Sequence, residues 1–149
     1  MKAVIQRVAE ARVEVGGRVV GQIGPGVLAL VAVEREDGAG DVEWMARKLV
    51  ELWIFRKQEK HFDIDVREAG GGVLLVSNFT VAGATRKGRR PSFDGAAPPE
   101  TGRVVFDQLV ERVKLLGVTV ATGEFGADMR VSLINDGPAT FVLESGVQS

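Results

Sequence analysis

Hydrophobic and polar positions alternate along the first third of the chain. "KAVIQRVAEARVEV" alternates and is rich in β-branched residues, "GGRVVGQI" follows a Gly-Gly turn, and "GVLALVAVE" follows Gly24-Pro25-Gly26. Three strands are predicted here. The unbroken apolar run Val27 to Val33 marks the third as a central strand buried on both faces. The period then changes. In "DGAGDVEWMARKLVELWIF" Val42, Met45, Ala46, Leu49 and Trp53 fall at helical spacing, with Asp37 or Asp41 available as N-cap. "FDIDV" alternates as a short strand, Gly70 to Gly72 reads as a turn or bulge, and "VLLVSNFTV" reads as a second long buried strand.

From Ala82 to Pro99 the periodicity fades into Gly, Pro and charge, the composition of a functional loop. A second helix is predicted over about Glu100 to Leu116, after a Pro pair and before Gly117. Val105, Leu109, Arg112, Val113 and Leu116 mark its inner face. "VTVATGEF" and two strands flanking Asn135 to Thr140 complete the chain. The total is an α/β fold in one domain, residues 1–149, with a mixed β-sheet covered on one side by two main helices.

Composition narrows the chemistry more than the fold. The 149 residues are 45% hydrophobic and 26% charged, ordinary for a soluble domain, and a chain of this size can bury roughly two thirds of its unfolded surface. No cysteine is present, which excludes disulfides, thiolate metal sites and cysteine nucleophiles. The single histidine, His61, lies in the polar stretch "KQEKHFDIDV" and reads as a surface residue. One histidine rules out a multi-histidine zinc site. No metal and no cofactor are expected. No apolar run approaches the ~18 residues of a membrane span, and no signal-peptide core is visible, so a cytoplasmic location is expected. The net charge of −1 argues against a broadly basic nucleic-acid coat but leaves local patches open.

Four stretches carry candidate chemistry. Ser77, Asn78, Phe79 and Thr80 place polar groups where a buried strand ends, which suits a binding site and equally suits side chains bonding to backbone. The Thr80 hydroxyl offers a nucleophile or a donor, and with no activating base nearby in sequence the donor role is favoured. Arg86, Lys87, Arg89 and Arg90 set four cations within five residues around Gly88, a cluster that can track phosphates or stay solvated. Phe93 beside them adds one stacking face. Phe125 and Met129 could cradle a flat ring or belong to the core. In Asn135-Asp-Gly-Pro-Ala-Thr140 the proline cannot donate to a ladder, so local physics favours an ordinary trans turn.

Together "VLLVSNFTVAGATRKGRRPSF" and "FGADMRVSLINDGPATFVLE" resemble the D-aminoacyl-tRNA deacylase family. That family carries a Ser-Gln-Phe-Thr strand end and an Asn-x-Gly-Pro-Val-Thr segment. Here the two lie about sixty residues apart in the right order, and the likeness extends from "IQRV" to the C-terminal strand. The resemblance implies a homodimer of subunits in β/β/α layers that hydrolyses the ester joining a D-amino acid, or glycine, to the 3′-terminal adenosine of tRNA. It implies that the Gly137–Pro138 bond is cis and serves the partner's site, that Arg7 holds this segment, and that no membrane is involved. Ser77, Asn78, Phe79 and Thr80 would line the ester and ribose side, and Phe125 and Met129 the adenine side. Asn78 stands where the family has Gln, Ala139 where it has Val, and Asp63 where many members have Asn. A related animal deacylase that acts on mischarged L-alanine is disfavoured, because Phe79 and Arg7 follow the D-specific pattern. Two other readings remain open: a non-catalytic RNA-binding or dimerisation domain of the same fold, and a generic small-molecule binder.

Overall fold

The computed structural model describes residues 1–146, so the last three residues of the expected domain lie outside the described residues. Its centre is β1 (Lys2–Val15), which is long enough to belong to two neighbourhoods. The first half of β1 lies between β3 (Gly26–Ala32) and the end of β8 (Arg130–Glu144), both antiparallel to it. Its second half lies between β2 (Arg18–Ile23) and the beginning of β8. From β3 the sheet continues in parallel through β6 (Gly72–Ser77) to β7 (Thr119–Thr122).

Parallel neighbours need crossovers, and those crossovers are the two predicted helices. Both α1 (Ala39–Glu51) and α2 (Pro99–Leu115) pack on one face of the sheet. There Val42, Met45, Leu49, Val105, Leu109 and Val113 meet Ile5, Val27, Val31 and Leu75 in the main core. The other face curls on itself around a second cluster that includes Val8, Val13, Leu28, Leu74 and Val76. Gly21 permits the curl: a Cβ there would lie 2.0 Å from the Thr122 carbonyl oxygen, so only glycine lets β2 come this close to β7.

Several expectations change in detail. The first helix ends at Glu51, and Leu52 turns extended at φ −62°, ψ 134°, so Trp53 leaves the inner face and is 61% exposed. Neither aspartate is the N-cap. Gly38 is, and its N–H donates to the Asp41 carboxylate at 2.9 Å, while Asp37 accepts from the Met1 ammonium at 2.6 Å and the Glu34 N–H at 2.6 Å. The "FDIDV" strand is one arm of a small hairpin, β4 (Phe55–Lys57) with β5 (Lys60–Ile64). Its first arm escaped the pattern because three residues are too few to show a period. "VLLVSNFTV" does not stay extended either: β6 stops at Ser77, and Phe79–Ala82 form a 3-10 turn. The predicted second helix agrees closely, with Pro99 in its first turn and Gly117 at φ 89° just beyond its end.

One ion-pair cluster joins the helices. Glu43 on α1 accepts from Arg112 on α2 and from Arg47 one turn along its own helix, so Arg112 bridges the two helices rather than filling the inner face. Arg112 first and Arg47 second pull the Glu43 carboxyl from its ordinary 4.5 to about 2. A carboxyl lowered in the folded state adds stability that is present above its unfolded value and is lost as pH falls through the folded one. Glu43→Gln is therefore expected to lower the unfolding midpoint at pH 7, with the gap to the parent closing between pH 4.5 and about 2. Thermal melts across that range check it; a gap independent of pH would show that the charge is not responsible.

Candidate active site

The first group of predicted residues sits where β6 runs out. Ser77 is still paired with Val31 of β3, and the Asn78 N–H donates to the Val31 carbonyl at 2.8 Å, so the scaffold holds this strand end rigidly. Asn78 then caps the 3-10 turn. Its side-chain oxygen accepts the Thr80 N–H at 3.1 Å and also the Thr80 hydroxyl. The shorter side chain thus serves its own loop. It also commits the Thr80 hydroxyl as a donor to an amide oxygen, which cannot act as a base, and this geometry does not activate a nucleophile. Phe79 points outward, 57% exposed, and meets Phe93 edge to face at 5.1 Å between ring centres. That pair ties the strand end to the basic segment.

The basic segment is a loop closed at its neck. Ala84 and Ser92 exchange two backbone hydrogen bonds, 2.7 and 2.8 Å, and Gly88 takes φ 66° between them. Arg86, Lys87, Arg89 and Arg90 are all exposed on this loop, and none of the salt bridges among the described residues includes them. A neck this tight presents the four charges together rather than on a free coil.

The second group lies on β8, and it is not a turn between two strands. β8 runs from Arg130 to Glu144 along β1, and Asn135 to Ala139 form an irregularity within it, opposite the shift in register between Gln6 and Val8. The Gly137–Pro138 bond is cis, against the trans turn that local physics favours and in line with the resemblance. Both residues are exposed, while Ala139 is buried.

Arg7 anchors this bulge. It is 1% exposed, and its Nε donates to the Asp136 carbonyl at 2.8 Å. Its Nη1 donates to the carbonyls of Ile54 at 2.8 Å and His61 at 3.2 Å, which fastens the β4–β5 hairpin beside the bulge. The Phe62 ring lies 5.6 Å from the guanidinium carbon, while Nη2 is buried with no hydrogen-bond partner among the described residues. Burial, then Arg56, push the Arg7 pKa down, and Asp136 opposes them. Asn135 completes the bulge: its amide nitrogen donates to the Arg7 carbonyl at 2.9 Å and the Ala139 carbonyl at 3.3 Å. His61 itself is exposed; its contribution here is a backbone carbonyl. Arg56 carries no signal in the sequence, since a lone Arg on a three-residue strand has no period, and Asn135 stands there only as the start of the Gly-Pro segment with no role of its own.

Phe125 and Met129 diverge. Phe125 packs against the main core beside Phe106, with the Arg103 guanidinium 4.8 Å from its ring centre. Met129 packs against the second cluster, and its sulfur would lie 2.8 Å from a Cβ on Gly123. Among the described residues, no three metal-ligating side chains converge.

Strand register shows how the two signature segments relate. Ser77 aligns with Val31, then Ala3, then Leu143, whereas Gly137–Pro138 lies opposite Arg7, four residues further along β1. At ~3.3 Å per residue and ~4.8 Å per strand, the segments are about 13 Å apart along the strands and about 14 Å across them. Three strand spacings keep the segments apart within one chain.

Residues 4–144 match the profile of a family described as D-Tyr-tRNA(Tyr) deacylase. The chain belongs to that family. Its relatives agree. A D-aminoacyl-tRNA deacylase of Pelobacter propionicus is 54% identical over 97% of this chain and 99% of its own. One of Geobacter sulfurreducens is 51% identical over 100% of this chain and 98% of its own. Membership makes the protein a hydrolase of aminoacyl-tRNA. Among solved structures, one titled c-Myc DNA Unwinding Element Binding Protein superposes with a TM-score of 0.94 at 36% identity, covering 99% of this chain and all of that one. A probable eukaryotic D-amino acid tRNA deacylase superposes at 0.81 with 17% identity, covering 95% and 97%, a likeness of fold alone.

Proposed function

We propose that residues 1–149 act as one unit in a cytoplasmic homodimer of β/β/α subunits that removes D-amino acids and glycine from tRNA. In this reading Gly137–Pro138 of one subunit completes the Ser77–Thr80 site of the other. The observation that carries it is the separation of the two segments by strand register, while Gly137 and Pro138 stay exposed on a bulge fastened by Arg7. A second copy can supply what one chain holds apart. Trp53, Phe62, Ile134 and Val142 are exposed apolar residues available for a second copy to cover.

Selection then follows from geometry. The Gly137 carbonyl accepts from the substrate's α-ammonium and fills the space an L side chain needs, so rejection is steric. Glycine has no side chain to reject. Hydrolysis needs an oriented water and a donor for the developing oxyanion. Because the Thr80 N–H is taken by Asn78, the Phe79 N–H is assigned as that donor, and the vicinal 2′-hydroxyl of the tRNA ribose as the group orienting water. Ser77 lines the ribose side, and Phe125 and Met129 flank the adenine from their two separate clusters.

Deacylation of D-Tyr-, L-Tyr- and Gly-charged tRNA tests the reading. The D and glycyl esters should be hydrolysed and the L ester spared; equal rates for D and L would overturn it, and tRNA binding without hydrolysis would favour a non-catalytic RNA-binding domain. Two predictions accompany it. Thr80→Ala should keep much of the activity, and a folded but inactive variant would restore Thr80 as a nucleophile. Raising the salt should raise KM through loss of phosphate contacts at Arg86, Lys87, Arg89 and Arg90, and an Arg89→Ala, Arg90→Ala double variant should flatten that slope.

A further inference from the structure

Asp136, the residue immediately before Gly137, is held twice. Its backbone carbonyl accepts from Arg7, and its carboxylate accepts from Arg56, whose Nη1 lies 2.8 Å from each carboxylate oxygen. The two guanidiniums come from different elements. Arg7 is on β1, and Arg56 is on β4 of the hairpin that Arg7 itself fastens through the Ile54 and His61 carbonyls. Arg7 Nε also stands 3.4 Å from one carboxylate oxygen, beyond the range of a good hydrogen bond. The firm hold from Arg7 is therefore on the carbonyl and leaves the residue some freedom to pivot about that bond. A second anchor on its side chain, from an independently fixed element, removes the pivot. The Asp136 carbonyl is joined to the Gly137 nitrogen, and the Gly137–Pro138 peptide one step beyond carries the Gly137 carbonyl.

We propose that Arg56 is a positioning residue for chiral selection: by holding the Asp136 carboxylate against the β4–β5 hairpin, it sets the angle at which Gly137 is presented. This rests on the reading that the Gly137 carbonyl is the selective group. Steric rejection depends on placement to within a fraction of an ångström, so a pivot matters more here than elsewhere on the surface. An ordinary exposed ion pair would contribute little to stability. Arg56 and Asp136 side chains are 38% and 40% exposed, and the significance of their pairing is its place next to Gly137. Arg56, with Arg7 behind it, also keeps the Asp136 carboxyl below the usual range, so the charge is in place throughout the neutral range.

The test compares the full-length parent, Arg56→Ala, Arg56→Lys and Glu43→Gln in kcat/KM for D-Tyr-tRNA and L-Tyr-tRNA, each assayed below its own unfolding midpoint. Glu43→Gln breaks an ion pair remote from the bulge and controls for general loosening. Arg56→Ala should narrow the D-to-L ratio about fivefold, the scale of one exposed charged pair, with Arg56→Lys restoring part of it and Glu43→Gln leaving it unchanged. Arg56→Gln substitutes if Arg56→Ala does not fold. A parent ratio retained in the Arg56 variants overturns the inference, as does equal narrowing in Glu43→Gln. A parent with no D preference overturns the chiral reading itself, and this inference with it.

Discussion

Gly137→Ala is expected to lower kcat/KM for D-Tyr-tRNA by about 100-fold, the scale on which a catalytic geometry displaced by about an ångström fails. The reason is local crowding. A Cβ on Gly137 would stand 2.5 Å from the Asn135 side-chain oxygen and 3.3 Å from its Cγ. A flexible side chain elsewhere would swing aside, but this amide is committed to the Arg7 and Ala139 carbonyls. To make room, Asn135 must surrender those bonds or the bulge must shift, and either moves the Gly137 carbonyl. The fold should survive, because Gly137 is exposed and lies outside both hydrophobic clusters. Steady-state kinetics with a melting curve check it. A variant with full activity and full selectivity would show that the bulge tolerates displacement and would remove the gate from this loop.

Arg7→Ala should strike stability as well as activity. The side chain is buried and donates to three carbonyls, those of Asp136, Ile54 and His61. Truncation strands these acceptors, opens a cavity beneath Phe62 and leaves the Asp136 carboxylate to Arg56 alone. Three hydrogen bonds donated by a charged group, at about 1.5 kcal/mol each, come to roughly 4 kcal/mol, and for a chain of this length the unfolding midpoint should fall by roughly 10 °C. Arg7→Lys should recover only part, since an ammonium cannot spread donors across three carbonyls as a planar fork does. A fall of under about 1 kcal/mol, within the range of ordinary surface changes, would mean that the guanidinium does not hold the hairpin and bulge together.

Much of the chain was legible from period alone, and the failures share a cause. The helical stripe through Val42, Met45 and Leu49 reads correctly because each residue meets the same core. Trp53 extends that stripe by one more step and is wrong, because Leu52 had already left helical geometry. Phe125 and Met129 are four residues apart, and that spacing does not reveal that they pack against different hydrophobic clusters. Period counts residues. It does not register where the backbone turns.

The signature segments divide in the same way. Ser77 to Thr80 at a strand end, the four cations around Gly88 and the Gly-Pro of β8 are all readable as residues in order, and their order identifies the family. What joins them is not readable. That Arg7 lies beneath Asp136, that Arg56 grips its carboxylate, and that Asn135 spans the bulge depend on pairing between residues more than a hundred positions apart or on a three-residue strand. Sequence by itself determined the element types, the buried strands and the chemical groups available, because these follow from local period and composition. Only the tertiary structure decided that Asn135 to Ala139 form a bulge and not a turn. The register is the reason: Gln6 pairs with Thr140 and Val8 with Asn135, so three extra residues of β8 must bulge out opposite Arg7 while pairing continues on both sides.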